Sequence, residues 1–81
     1  MSHAVTVLYF ASLRDAAGQG CEQVWTDAPD LAGLYEELRV RHGFAFERAR
    51  LRVAVGDAFM PWETTLPVAG EVAFIPPVSG G

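Results

Sequence analysis

Few side chains in this 81-residue chain have the type and spacing that chemistry needs. Its two histidines are His3, close to the start, and His42, at the close of a helical stretch. No serine or cysteine sits in a nucleophile setting, and no glycine loop is built to cradle phosphate. Carboxylates are scattered; the adjacent pair Glu36-Glu37 projects in different directions from a helix. A lone histidine such as His42 reads as structural. Cys21 is the only cysteine, which excludes an internal disulfide and a zinc cluster. It has no cationic neighbour in sequence to activate it and reads as incidental.

The chemistry points instead to the last residues, Ile75-Pro76-Pro77-Val78-Ser79-Gly80-Gly81. Pro76 and Pro77 fix φ and favour a polyproline II course, so the tail is expected to project from the domain. Six residues, from Pro76 onward, reach at most about 20 Å. Gly80 and Gly81 carry no side chains and can thread a narrow channel. A terminal carboxylate on Gly81 is ionised near neutral pH and is a poor electrophile until activated, for instance as an acyl-adenylate. Such an end is suited to delivery into the active site of another protein.

The rest of the chain must position that tail. Val5-Thr6-Val7-Leu8-Tyr9-Phe10 is β-branched and aromatic and predicts a strand buried on both faces, hence central. Residues 16–20 read as a turn, and 22–26 as a second strand completing a hairpin. Pro29 and Asp30 mark a helix entry with Asp30 as N-cap. Leu31, Leu34 and Leu38 recur on one helical face, and Gly43 is a C-terminal stop. Residues 50–55 alternate with period two, Gly56-Asp57 is a turn signal, and 58–60 can pair back before Pro61. Residues 68–70 form a turn before a last strand, 71–75. One helix must cover one face of a mixed sheet of four or five strands, because neither can bury its apolar side alone. The expected class is α+β, a β-grasp, with a domain over 1–75 and a tail over 76–81.

Half the residues are hydrophobic, enough for a single core. The net charge of −4 repels phosphate backbones, so neither nucleic acid nor an anionic membrane is an expected partner. No apolar run approaches a membrane span, and the start shows no secretory leader; a cytoplasmic location is expected. There is no lysine. Of the six arginines, Arg39, Arg41, Arg48, Arg50 and Arg52 lie in one stretch, readable as solvated faces or as a local docking patch. An activated glycine end could acylate a nearby amine, so the missing lysines would limit self-modification; compositional drift accounts for them as well.

Val5 to Phe10, then Leu13-Arg14, then Gly70-Glu71-Val72-Ala73-Phe74-Ile75-Pro76-Pro77-Val78-Ser79-Gly80-Gly81 resemble the small subunit of molybdopterin synthase, the MoaD-like branch of the β-grasp sulfur carriers. The Gly-Gly end is shared by several ubiquitin-like carriers; the longer run is much more specific. Gly56-Asp57 departs from the asparagine the family often has there. The resemblance implies that a MoeB-like adenylating enzyme uses ATP to activate Gly81, and that a sulfur donor converts it to a thiocarboxylate. The tail then enters a MoaE-like large subunit, in a heterotetramer of two small and two large chains, and sulfurates the cyclic pyranopterin precursor. No cofactor is implied on this chain. Gly81 would bear the sulfur and Gly80 would be the thread, with Ser79, Val78, Pro77 and Pro76 held by the partner. Of Phe74 and Ile75 only one can face the core, leaving the other for the interface, to which Phe10 and Leu13 are further candidates. A carrier for thiazole or a cysteine-type synthesis, a ubiquitin-like modifier and a plain binding module remain alternatives.

Overall fold

The computed structural model describes residues 3–67 and 70–77. The elements, in order, are β1 (His3–Tyr9), α1 (Ala11–Ala17), β2 (Cys21–Thr26), α2 (Leu31–His42), a 3-10 turn (Arg48–Arg50), β3 (Arg52–Val55), β4 (Ala58–Met60) and β5 (Glu71–Ile75). They form one five-stranded sheet in the order β2-β1-β5-β3-β4. β1 and β5 run parallel, with Tyr9 opposite Phe74, and the other pairs are antiparallel. One principal helix lies across this mixed sheet, and the arrangement is the β-grasp.

The expected entry of α2 is present in atomic detail. The Asp30 side chain accepts from the Gly33 N–H at 2.8 Å, and the Asp30 carbonyl accepts from the Leu34 N–H at 3.1 Å. The two N–H groups between them donate to the loop that follows β4: Leu31 to the Thr64 carbonyl and Ala32 to the Trp62 carbonyl, both at 3.0 Å. Three of the donors that a helix start leaves without an intrahelical partner, at Leu31, Ala32 and Gly33, are thereby satisfied, and the Leu34 bond opens the regular helix ladder. The far end closes at Gly43, whose φ of 72° is open to glycine at little cost.

Leu31, Leu34, Tyr35 and Leu38 of α2 meet Val5, Val7, Tyr9, Val24, Val53, Val72 and Phe74 from the sheet. Tyr35, outside the leucine pattern, is fully buried against Phe74, with ring centroids 5.2 Å apart. Its hydroxyl donates to the Phe46 carbonyl at 2.7 Å, and burial pushes its pKa up to about 12. Burying each large side chain of this kind contributes about 1.5–3 kcal/mol.

Several expectations are corrected. β1 is an interior strand, yet β5 holds the centre, and β1 is fully buried on one face only: Val5, Val7 and Tyr9 are buried while Thr6 and Leu8 are half-buried. The third strand begins at Arg52 rather than Arg50. Arg50 N–H to Glu47 carbonyl and Leu51 N–H to Arg48 carbonyl, at 2.9 and 3.0 Å, hold the preceding residues in a turn. A short helix, α1, fills the connection between the first two strands. The turn expected at 68–70 falls mostly outside the described residues.

Candidate docking site at the root of the tail

Parallel pairing makes β1 and β5 leave the sheet at the same end. Past Tyr9, the chain turns sharply at Ala11, whose φ of 50° is left-handed and unusual for a residue with a Cβ. That turn leaves Phe10 44% exposed beside the last residues of β5. The strand period sends Phe74 inward, where it is fully buried, and Ile75 outward. Pro76 is buried and Pro77 exposed. Phe10, Ala11, Ser12, Phe46, Ile75, Pro76 and Pro77 line a groove of about 460 Å³ whose walls are mainly apolar.

The structure thus brings together Phe10, Ile75, Pro76 and Pro77 among the residues singled out from the sequence. It separates two others from them. Leu13 and Phe74, candidates for a partner interface, are corrected to core residues, since each is at most 1% exposed. Leu13 points inward from α1, and Phe74 stacks on Trp62 with ring centroids 6.0 Å apart. The burial of Pro76 also ties it to the domain, and Pro77 is exposed. Val78, Ser79, Gly80 and Gly81 lie outside the described residues.

The arginine stretch does not form one patch. Arg39 pairs with Glu36 at 3.4 Å and Arg41 with Glu22 at 3.5 Å. Arg50 and Arg52 lie instead over the rings of Phe46 and Phe59. Cys21 is exposed on the edge strand β2. Among the described residues no group of three or more histidine, cysteine or acidic side chains is placed to hold a metal ion.

Sequence reasoning missed a polar cluster behind the groove. Glu22 faces the helix from β2 and accepts three donors. Tyr9 Oη donates to its Oε1 at 2.7 Å, His42 Nε2 lies 2.9 Å from the same oxygen, and Arg41 Nη1 reaches Oε2 at 3.5 Å. Burial alone would raise the Glu22 pKa. The hydrogen bonds from Tyr9 and His42 and the electrostatic attraction of the His42 and Arg41 side chains outweigh it and hold the carboxyl below its ordinary range. Burial and the neighbouring carboxylate push the Tyr9 phenol far up, so it stays a donor. The cluster pins the C-terminal turn of α2 to β1 and β2, and so braces the strand that delivers Phe10. The one available signal was a glutamate in the alternating β2 pattern at a position facing the helix.

A β-grasp domain whose central strand runs out beside an apolar groove toward two terminal glycines defines a class of ubiquitin-like proteins. Within that class, the sequence pattern of the ThiS family matches residues 7–81, and the chain belongs to that family. It is 32% identical over 80 residues to the molybdopterin synthase sulfur carrier subunit of Escherichia coli (strain K12), with 95% of this chain and 99% of the relative covered. It is 34% identical over 80 residues to the subunit of that name from Mycobacterium tuberculosis, with 95% and 96% covered. Among solved structures, small archaeal modifier protein 1 from Methanosarcina acetivorans shares the fold, with a TM-score of 0.77 at 20% identity, covering 100% of this chain and 99% of that one.

Proposed function

We propose that this chain is the sulfur carrier subunit of a molybdopterin synthase. The observation that carries the reading is the exit of β5: Ile75, Pro76 and Pro77 run from the centre of the sheet along an apolar groove, four residues short of Gly81. The likeness to curated carrier subunits over nearly the whole chain supports it.

In this reading an adenylating enzyme seats on the groove and receives the tail. The Gly81 carboxylate attacks the α-phosphorus of ATP and releases pyrophosphate. Sulfur at the sulfide level, from a separate donor, then displaces AMP, which leaves with one of the carboxylate oxygens. The product is a C-terminal thiocarboxylate. The large subunit binds the same groove, takes the tail into its catalytic pocket and directs the sulfur onto a cyclic pyranopterin precursor; two transfers make the dithiolene. The chain supplies the sulfur and the geometry, while both active sites belong to partners, with the large subunit in a heterotetramer.

Intact-mass analysis tests this after incubation with the adenylating enzyme, ATP and a sulfide source. Replacement of one oxygen by sulfur, alkylatable and absent when Gly81 is deleted, is expected. Transfer to the pyranopterin precursor by added large subunit then separates this pathway from thiazole or cysteine-type synthesis. Isopeptide adducts on other proteins, without thiocarboxylate, would favour a modifier instead.

A further inference from the structure

We propose that Arg50 and Arg52 are the elements that seat this chain on a carboxylate-bearing rim around the opening that receives its tail. The proposal rests on the carrier reading, in which the tail must enter another protein.

Arg50 and Arg52 are exposed, and among the described residues neither has a carboxylate at ion-pair distance, whereas Arg39 and Arg41 do. Each is held by a ring instead. The Arg50 Cζ lies 5.5 Å from the centroid of Phe46 and the Arg52 Cζ 5.6 Å from that of Phe59. A guanidinium over an aromatic face is already ordered, while its N–H edges stay open to bind a carboxylate through two parallel hydrogen bonds. Less side-chain freedom then remains to be lost on docking.

Their position relates them to the tail. Arg52 stands directly opposite Ile75 in the β3–β5 ladder, so both side chains share one face. Arg50, Arg52 and Phe59 line a second groove, of about 340 Å³, together with Ile75, Pro76 and Pro77. Among the described residues no carboxylate lines it, although the chain has ten acidic residues against six basic ones. The tail root is thus a local cationic frame on an acidic molecule. A partner rim bearing carboxylates is attracted there and repelled elsewhere, which orients the encounter before the tail enters. A net charge of −4 and the apolar floor of the groove favour a protein surface over a phosphate polymer.

The test measures association of the full chain with the large subunit of molybdopterin synthase encoded in the same genome, at low and high salt. The double variant Arg50→Glu/Arg52→Glu should associate roughly tenfold more slowly or worse at low salt, with the difference shrinking at high salt. Arg50→Gln/Arg52→Gln should fall between it and wild type, and thermal melting should be unchanged throughout. Wild-type rates in the variants, or rates independent of salt, would overturn the proposal while leaving the carrier reading intact. Failure of the wild-type chain to bind the large subunit would overturn both. Early melting shared by both double variants would assign the arginines to the fold and overturn it too, as would equally arginine-dependent binding to a short duplex DNA.

Discussion

On the helix-covered face of the sheet, Tyr9, Glu22 and Thr26 all end in hydrogen bonds within the fold. Thr26 donates to Glu37 at 2.9 Å and accepts from the Ala28 N–H at 3.0 Å. On the opposite face of the same sheet stand Trp25 of β2 and Phe59 of β4, 71% and 61% exposed, and Arg52 of β3 over its ring. One set of strands therefore serves two purposes, divided by the strand period of two. Residues that point inward set stability, and residues that point outward are left for a partner. The division is sharpest at the adjacent pair Phe74 and Ile75.

Substitutions can break that division, beginning with the largest effect. Deleting Gly81 should abolish thiocarboxylate formation outright, read by intact mass, while the thermal midpoint stays the same; a fall of several degrees would place the tail inside the stable body. Phe74→Ala should cost about 3–5 kcal/mol in chemical denaturation, because it opens a cavity beneath Trp62 and Tyr35. Ile75→Ala should cost only about 1 kcal/mol yet weaken binding to the large subunit more than any inward substitution that still folds. Equal stability losses at 74 and 75 would end the distinction.

Glu22→Gln tests the polar half of the inward face. It should cost about 1 kcal/mol at neutral pH, since it weakens three hydrogen bonds at a half-buried site. The folded-state pKa of Glu22 lies below its ordinary value of 4.5, so its contribution is fully present above that value. It is lost as pH falls through the depressed value, and wild type and variant should converge in acid. Urea titrations across the acid range read this directly; a gap that widens on acidification would contradict the sign. Asp30→Ala, which removes only the cap of α2, should cost about 1 kcal/mol and leave partner binding untouched.

The local signals in the sequence were legible where one residue suffices. Asp30, Gly43 and the Gly56-Asp57 turn each act through their own backbone neighbours, and each stands where expected. α1 was not legible. It has seven residues, one buried apolar side chain, no side-chain cap at Phe10 and an entry through a left-handed alanine. The Glu22 cluster was invisible for a different reason: its partners lie 13, 19 and 20 positions away, and no periodicity relates them. At the candidate site, alternation required that one of Phe74 and Ile75 face outward, but only the fold decides which. Leu13 looked available because the helix that buries it was itself unread.

The parallel pairing of β1 with β5 also constrains when the molecule can exist. The two strands at the heart of the sheet come from opposite ends of the chain, with Thr6 beside Glu71. Contacts this distant in sequence require closing nearly the whole polypeptide into one loop, and topologies dominated by them fold slowly. Synthesis runs from the N-terminus, so the central strand is made after every other strand. A half-made or truncated chain lacks the middle of its sheet and cannot assemble the groove at all. The docking surface therefore exists only in a chain that extends through β5 to Pro77, since both the middle of the sheet and part of the groove wall come from those residues.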